Sequence, residues 1–332
     1  MKRILVTGGT GYIGSHTIIE LYKKGYEIDI IDNLLNSKIT VLDKIEEIVG
    51  KKPNFYELDL LNFEGMDKLF SKNKYDLVMH FAGLKAVGES VENPLKYYEN
   101  NVGGTINLLK CMKKYNVNKI IFSSSATVYG EQPTSKLDET MATGVGITNP
   151  YGETKHVIEE ILKDVAESDP EFQAVILRYF NPVGNHPSGL IGEDPNGIPN
   201  NLMPIIMKVS RGEIKELSVY GDDYPTSDGS GIRDFIHVVD LARGHVAVIS
   251  KIKPGISIYN LGTGKGTSVF EMIKAFNKAS GEELPYRVVG RRAGDLAEIY
   301  ADPSKAEKEL GWKAELTIDD AMRDTINYLD NL

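Results

Sequence analysis

The sequence predicts an α/β protein in which a doubly wound parallel sheet is followed by a smaller mixed α/β lobe. Three observations favour this class. Short apolar runs alternate with amphipathic helical stretches from the first residues onward. A glycine-rich turn directly follows the first apolar run. The alternation ends after Phe180, where a stretch rich in Gly, Pro and Asn begins.

The first part of the chain reads as repeated strand–helix units. Such units form a parallel sheet of short apolar strands with right-handed crossovers and helices on both faces, which is a Rossmann-like arrangement. The predicted strands are 4–6, 27–31, 55–58, 77–81, 119–123 and 174–178. The predicted helices are 13–24, 39–49, 63–70, 94–115 and 151–167.

Beyond Phe180, the polar stretch 181–201 predicts a long loop, which in a compact protein is functional or disordered. We therefore divide the chain into a Rossmann-like domain at 1–180 and a mixed lobe at 181–332, some elements of which could return to the first domain. Further helices are predicted at 202–211, 238–250, 269–280 and 318–328, and strands at 217–220 and 258–261.

The composition is that of an ordinary globular protein, with 41% hydrophobic and 26% charged residues among 332. The net charge of -9 argues against a nucleic-acid partner. The single cysteine, Cys111, excludes an internal disulfide. The first residues do not read as a signal peptide and no apolar run spans a bilayer, so we expect a cytoplasmic protein without a membrane partner. The six histidines show no ligand spacing, so no metal site is expected.

Gly8, Gly11 and Gly14 give the first turn the spacing of a diphosphate-binding loop. Gly8 allows a sharp turn, Gly11 lets a phosphate approach closely, and Gly14 lets the next helix pack against the strand. The N–H groups and positive end of that helix then face the anion. The alternative for an isolated glycine loop is a plain structural turn.

Acidic and small residues at the ends of the next strands extend this site. Asp32 can accept hydrogen bonds from an adenosine ribose and repel a 2′-phosphate, which favours NAD over NADP. Its alternative role is to cap a turn. Asp59 could reach the adenine, and the small residues within 81–84 let the chain pass close to the cofactor. Lys85 faces a phosphate or is a solvated lysine.

Tyr151 and Lys155 lie one turn apart on one face of a predicted helix. A tyrosine with a pKa near ~10 is a poor base at neutral pH. A nearby lysine ammonium and a positive nicotinamide would lower that pKa. Ser125, at the end of the fifth strand, can hydrogen-bond the same substrate hydroxyl. The Tyr/Lys pair alone often arises by chance, but its occurrence after the glycine loop, Asp32 and Ser125 indicates hydride-transfer chemistry.

With these residues in place, the chain resembles the extended short-chain dehydrogenase/reductases, and among them the UDP-glucose 4-epimerases. The resemblance extends essentially from end to end. The segments that carry it are GGTGYIGSH, IDNLLNS, HFAGLKAVGES, YYENNVGGT, FSSSATVYG, PYGETK, RYFNPVGNHPSG, GEDPNGIPNNLMP, VYGDDYPTSDGSGIRDFIHV, YNLGTG and GDLAEIYADPSKA.

The resemblance implies a reversible interconversion of UDP-glucose and UDP-galactose in galactose metabolism. Tyr151 is implied to take the proton of the sugar 4-hydroxyl, with Lys155 tuning it and binding the nicotinamide ribose, and Ser125 assisting at the hydroxyl. Hydride passes from C4 to NAD⁺ and returns to the opposite face of a 4-keto sugar, so the cofactor can stay bound.

The resemblance also assigns binding positions, which make 1–180 an NAD-binding domain and 181–332 a UDP-sugar-binding domain. The positions matching NAD-binding residues are Gly8, Gly11, Tyr12, Ile13, Gly14, Asp32, Asn33, Leu34, Asn36, Ser37, Asp59, Leu60, Phe81, Ala82, Gly83, Lys85, Asn100, Tyr151, Lys155 and Phe180. Those matching UDP-sugar-binding residues are Ser125, Asn181, Asn201, Leu202, Ser218, Val219, Tyr220, Arg233, Arg292, Asp295 and Ile299. Arg233 and Arg292 can make forked bonds to a diphosphate. The loop after Asn181 is implied to cover the nucleotide.

Several alternatives follow from single positions. Related dehydratases carry an Asp-Glu pair just after the strand-end serine or threonine, whereas Ala126 and Thr127 stand here and do not titrate, which argues against a dehydratase. Ile299 is neither the bulky tyrosine nor the small residue that set substrate breadth in epimerases, so action on UDP-N-acetylglucosamine and UDP-N-acetylgalactosamine stays open. A non-catalytic NAD(H)-binding regulator would typically lack the Tyr/Lys pair.

Helices 94–115 and 151–167 are implied to form a homodimer contact, with a monomer as the alternative.

Overall fold

The computed structural model describes residues 2–196, 199, 201–292 and 294–332. The strands are β1 (Arg3–Thr7), β2 (Glu27–Asp32), β3 (Asn54–Glu57), β4 (Leu77–His80), β5 (Lys119–Ser125), β6 (Lys136–Leu137), β7 (Gln173–Tyr179), β8 (Asn181–Val183), β9 (Leu217–Tyr220), β10 (Ile232–Arg233), β11 (Phe235–His237), β12 (Gly255–Leu261), β13 (Thr267–Ser268), β14 (Tyr286–Val289) and β15 (Glu298–Ala301). The helices are α1 (Tyr12–Lys23), α2 (Val41–Val49), α3 (Phe63–Lys72), α4 (Val87–Glu92), α5 (Pro94–Tyr97), α6 (Gly104–Lys114), α7 (Pro150–Ser168), α8 (Leu202–Ser210), α9 (Val238–Ile249), α10 (Val269–Ser280), α11 (Ser304–Leu310) and α12 (Ile318–Asp330).

The central sheet has seven strands in the order β12-β7-β5-β4-β1-β2-β3. Every neighbouring pair in it is parallel. The strand order reverses at β1, which lies between β2 and β4. In open sheets of this kind, ligands bind beyond the carboxyl ends of the strands at the point of reversal. The predicted fold class, a Rossmann-like sheet with additional smaller sheets, is confirmed.

Two elements from beyond residue 180 join the first half of the molecule. β12 pairs with β7 along its whole length and so forms one edge of the central sheet. α9 packs against α1, next to the glycine turn. The boundary between the two predicted domains stays a prediction. β12 and α9 are two elements from the second predicted domain that return to the first.

The region predicted as a single helix over 94–115 has an irregular middle. α5 ends at Tyr97, a π-helical turn covers Tyr98–Gly103, and α6 follows at Gly104. The predicted helix is therefore present over 94–114, and it contains a π-helical turn that the sequence did not predict. The turn contains the sequence Asn-Asn-Val-Gly, whose asparagines and glycine have low helix propensity. Turns of this type often occur at functional sites, and this one carries Asn100.

Strand alternation gives the sheet two apolar faces. Ile4 and Val6 pack on one side of β1 with Ile18 of α1, whereas Leu5 packs on the other side with Phe122 of β5. A third cluster fills the lobe formed by α8, α10 and α12. The 181–201 region also differs from a simple loop, because its first residues form β8 and pair with β11. Among the described residues, no helix combines the length and hydrophobicity needed to cross a membrane.

Candidate active site

The glycine turn between β1 and α1 has the shape that a diphosphate-binding loop requires. Gly8 has a φ of +72°, a value that favours glycine. A Cβ on Gly8 would lie 2.6 Å from the nitrogen of Ala82, and a Cβ on Gly14 would lie 2.4 Å from the carbonyl oxygen of Gly8. Gly14 therefore lets α1 start directly against the turn. Within the described residues, no side chain caps the N-terminus of α1, so its first N–H groups are available to an anion.

The carboxylate of Asp32 is fixed at the end of β2 by two backbone N–H groups. Oδ2 accepts from the nitrogen of Thr10 at 3.2 Å, and Oδ1 accepts from the nitrogen of Leu34 at 2.9 Å. Leu34 itself has a φ of +59°, an uncommon conformation for a residue with a side chain. Asp32 also lines the cleft described next. It thus caps a turn, as the alternative supposed, and in doing so presents a rigid carboxylate to a ligand.

A cleft of about 390 Å³ lies at the carboxyl ends of β1, β2, β3 and β4. The predicted cofactor positions that line it are Gly8, Gly11, Tyr12, Ile13, Gly14, Asp32, Asn33, Asn36, Ser37, Asp59, Leu60, Phe81, Ala82, Gly83, Lys85 and Asn100. Leu34, Tyr151, Lys155 and Phe180 lie outside this lining. Asn33 donates to Asp59 at 2.8 Å and so links the ends of β2 and β3.

The opposite wall of the cleft comes from the Gly/Pro/Asn-rich segment. Residues 189–195 line the cleft together with the glycine turn. Tyr12 donates from its hydroxyl to the carbonyl oxygen of Gly184 at 2.5 Å. Lys38 forms an ion pair with Asp194, and Asn196 donates to the carbonyl oxygen of Leu35 at 3.3 Å. The first part of the predicted cover thus lines this cleft. Gly197, Ile198 and Asn200 are outside the described residues.

Ser125, Tyr151 and Lys155 are supplied by two neighbouring elements, the end of β5 and the first turns of α7. The Lys155 ammonium nitrogen lies 5.9 Å from the centre of the Tyr151 ring and donates to the carbonyl oxygen of Ser123 at 2.6 Å. The hydroxyl oxygen of Ser125 accepts from the nitrogen of Thr127 at 3.2 Å and from its hydroxyl at 3.0 Å. With both of these bonds accepted, the Ser125 hydroxyl is left to donate, and its hydrogen bond with Tyr151 lowers the pKa of that tyrosine.

The net shift of the Tyr151 pKa is nevertheless upward, because desolvation outweighs the Ser125 hydrogen bond. In the protein by itself the shift thus comes from burial, and the lowering expected from Lys155 together with a positive nicotinamide stays a prediction. Lys155 is buried and directs its ammonium group to the Ser123 carbonyl. Burial lowers the pKa of Lys155 to about 8, and the nearby Glu159 opposes that shift. A positive nicotinamide beside Tyr151 would supply the remaining stabilisation of the phenolate.

Two buried contacts that the sequence did not indicate hold α7 in position. Asn101, in the π-helical turn, accepts from the nitrogen of Leu84 at 2.7 Å and donates to the hydroxyl of Thr154 at 3.0 Å. It thereby connects the cofactor-lining loop after β4 to the turn between Tyr151 and Lys155. One turn further along α7, Glu159 pairs with the buried Arg178 at 2.6 Å.

The predicted UDP-sugar positions group around the smaller sheets. Asn181 begins β8, Leu202 begins α8, and Ser218, Val219 and Tyr220 belong to β9. Arg233 of β10 is paired in register with Ile299 of β15, and its Nη2 lies 3.7 Å from Oδ1 of Asp295. The guanidinium of Arg292 stacks 4.3 Å from the centre of the Tyr220 ring.

The two arginines are therefore placed differently. Burial lowers the pKa of Arg233, and Asp295 opposes that shift, whereas Arg292 is exposed on its aromatic support. Asn201 donates to Oε1 of Glu193 at 2.9 Å. Among the described residues, no three His, Cys, Asp or Glu side chains are grouped so as to hold a metal ion.

Taken together, the doubly wound sheet, the glycine turn with Asp32, and the Ser125–Tyr151–Lys155 group define a nucleotide-binding protein of the extended short-chain dehydrogenase/reductase class. The sequence model of the NAD dependent epimerase/dehydratase family matches residues 4–262. The chain belongs to that family.

Individual relatives are similar over nearly their whole length. The UDP-glucose 4-epimerase of Bacillus subtilis is 56% identical, with 97% of this chain and 95% of the relative covered. The crystal structure of UDP-glucose 4-epimerase from Bifidobacterium longum in complex with NAD⁺ and UDP has a TM-score of 0.96 at 56% identity, covering 99% and 98% of the two chains. The UDP-Glc/GlcNAc 4-epimerase of Campylobacter jejuni has a TM-score of 0.86 at 35% identity, with both chains fully covered. The resemblance inferred from the motifs is confirmed.

Proposed function

We propose that the protein interconverts UDP-glucose and UDP-galactose by epimerisation at C4, with NAD held as a resident cofactor. The observation that carries the proposal is that Ser125 ends β5 and that Tyr151 and Lys155 lie on the neighbouring α7, next to the cleft at the carboxyl ends of β1 to β4. The full-length similarity to UDP-glucose 4-epimerases supports the substrate. A role in galactose metabolism follows from that substrate.

The residues of the cleft fit NAD. The turn at Gly8 and Gly14 is too tight for side chains, and the uncapped start of α1 offers N–H groups to a diphosphate. Asp32 is held in place to accept from ribose hydroxyls and would repel a 2′-phosphate. When bound there, NAD would supply the hydride acceptor for C4 of the sugar and the hydride donor for the 4-keto sugar.

The protein's own groups handle the proton. Tyr151 takes the proton of the 4-hydroxyl as the hydride leaves, and gives it back when the hydride returns to the other face. Ser125 donates to the reacting oxygen or to Tyr151, because its own oxygen is already engaged by Thr127. Lys155 keeps a positive charge below Tyr151 and favours the phenolate. Ala126 and Thr127 cannot titrate, so the elimination of water has no acid–base pair at this position.

Binding of the UDP moiety is assigned to the lobe after β7. Arg233 is held by Asp295 and by its bond to the carbonyl oxygen of Ile232 at 2.8 Å, which pre-orients its fork for a diphosphate. Arg292 approaches from the Tyr220 ring. The remaining predicted positions, Asn181, Asn201, Leu202, Ser218 and Val219, belong to the same lobe.

Incubation of the purified protein with UDP-galactose, followed by NMR of the anomeric signals, tests the proposal. We expect UDP-glucose to appear without added reductant or oxidant, because the hydride returns to the substrate. Absence of conversion in the presence of NAD would leave only a binding role, such as an NAD(H)-dependent regulator.

Substrate breadth is proposed to depend on Ile299. This side chain is half-buried, lies in register with Arg233, and packs in the cluster of Tyr129, Leu137 and Phe180. Its size is intermediate between a tyrosine and a small residue, so we propose that N-acetylated UDP-hexosamines are secondary substrates. A side-by-side comparison of kcat/KM for the two substrate pairs checks this, and Ile299→Tyr should lower only the value for the N-acetylated pair.

We also propose a homodimer, located in the cytoplasm. Val91, Leu95 and Tyr98 expose 59%, 82% and 38% of their surface beside α7, and an apolar patch of this kind marks a contact surface. Light scattering should give twice the monomer mass, and Leu95→Glu should shift it to the monomer.

A buried, unpaired Cys111 is in keeping with a reducing compartment, and fractionation of cells checks the location.

A further inference from the structure

We propose that Glu193 is a positioning residue that couples the binding of the UDP-sugar to the retention of the cofactor. The proposal rests on the proposed function, because it links a cofactor position to a substrate position. One oxygen of Glu193, Oε1, accepts from the ammonium of Lys85 at 2.8 Å and from the amide of Asn201 at 2.9 Å. Lys85 lines the cofactor cleft, and Asn201 precedes α8 at a predicted UDP-sugar position.

The contacts make Glu193 the fixed member of this group. Its side chain is 4% exposed, whereas that of Lys85 is 43% exposed toward the cleft. The backbone nitrogen of Glu193 donates to Oδ1 of Asn185 at 3.1 Å. A Cβ on Gly192 would lie 2.4 Å from the same Asn185 oxygen, so the segment is packed closely there. Lys85 can therefore meet a phosphate in the cleft while Glu193 stays in place.

A buried carboxylate is costly unless its partners are kept. When Asn201 is engaged by a UDP-sugar, its amide stays on Oε1 of the fixed Glu193 and keeps that oxygen directed at Lys85, so that the lysine is ordered. The cofactor then meets a lysine that has already been ordered, and the two ligands bind with positive cooperativity. The glycine turn would respond as well, because Tyr12 is bonded to Gly184 at the start of the same segment.

The rate at which bound NADH leaves the holoenzyme measures this coupling. Protein loaded with NADH is diluted into excess NAD⁺, and the loss of NADH fluorescence is followed with and without saturating UDP. UDP should slow release at least about fivefold in the unaltered protein. Glu193→Gln keeps the shape of the side chain but loses its charge. It should show a smaller ratio between the NADH release rates without and with UDP. Glu193→Ala should show a ratio near one.

Asp194→Asn is the matched control. It removes the ion pair to Lys38 in the same segment but leaves Lys85, Glu193 and Asn201 connected. It should speed NADH release both without and with UDP, and the ratio of these two rates should stay as in the unaltered protein. An unaltered ratio in Glu193→Gln and Glu193→Ala, or an equal loss in Asp194→Asn, would overturn the proposal. So would a ratio of one in unaltered protein that binds UDP. The NMR conversion assay reports separately on the proposed function.

Discussion

The hydroxyl of Tyr151 lies where desolvation and hydrogen bonding oppose one another. Desolvation raises its pKa, and the hydrogen bond with Ser125 works in the other direction. In the proposed mechanism, the phenolate is therefore stabilised during turnover by charge brought close to the ring, from Lys155 and from the nicotinamide. On this proposal Tyr151 accepts a proton chiefly when the cofactor is in place.

Tyr151→Phe tests that role at the level of a single atom. The substitution removes the proton acceptor and leaves the glycine turn, Asp32 and Lys85 unchanged, so bound NAD should be retained. We expect kcat to fall by about 100-fold or more. Measurement of cofactor content by absorbance, together with steady-state kinetics, separates the two effects. Full activity in the variant would show that another group is the base.

Thr127 offers a second test at this scale, because its hydroxyl donates to the oxygen of Ser125. Thr127→Val removes that bond and keeps the backbone bond, so kcat should fall by about 3- to 10-fold with the KM for UDP-galactose unchanged. Thr127→Ser should restore the rate. A change confined to KM would place Thr127 in binding and not in the positioning of Ser125.

At the scale of elements, the joint between β1 and α1 determines whether a diphosphate can be held. Gly14→Ala would bring a Cβ to 2.4 Å from the Gly8 carbonyl. We expect a loss of roughly 1–3 kcal/mol in the free energy of unfolding and poor retention of NAD. Gly88→Ala in α4 is the matched control, since a Cβ there meets nothing within 4 Å. Urea unfolding of both variants should show the control unchanged or slightly stabilised.

The elements also show what a sequence can predict and why. The strands of the central sheet were predictable because burial on both faces requires short apolar runs, as in β1 and β4. The two-residue strands β6, β10 and β13 were not, because their pairing depends on residues far away in the chain and leaves no local pattern. The π-helical turn escaped prediction because its apolar positions keep a helical spacing.

The same distinction applies to the site. Gly8, Asp32, Tyr151 and Lys155 follow from local motifs. In the structure Gly8 follows β1 and Asp32 ends β2, whereas Tyr151 and Lys155 lie in the first turns of α7. Glu193 does not follow from a local motif, because its contact with Lys85 joins residues 108 positions apart. The only local signal was an acidic residue inside a Gly/Pro/Asn-rich segment. Such a residue stays exposed in most loops, so only the fold shows that this one is buried.

At the scale of the whole molecule, buried histidines make the folded state sensitive to acid. His245 is enclosed between α9 and β7, where its Nδ1 donates to the carbonyl oxygen of Leu241 at 2.8 Å and its Nε2 accepts from the hydroxyl of Tyr179. Burial lowers the pKa of His245 to about 4. His16 and His80 are buried as well, and burial lowers the pKa of each to about 3.

These lowered pKa values determine in which direction the stability of the folded protein changes with pH. Below pH ~6.5 the unfolded chain binds protons at these histidines and the folded protein does not. Stability is therefore complete above pH ~6.5 and falls as the pH drops toward 4, by about 1.4 kcal/mol per pH unit for each histidine. His245→Gln keeps one donor and one acceptor in place but cannot titrate. Urea unfolding from pH 4.5 to 8.5 should show its slope reduced by about that amount below pH ~6.5. Above pH ~7.5 the free energy of unfolding should depend on pH in the same way in both proteins, which serves as the internal control. Equal slopes in the acid range would mean that His245 is already protonated in the folded protein.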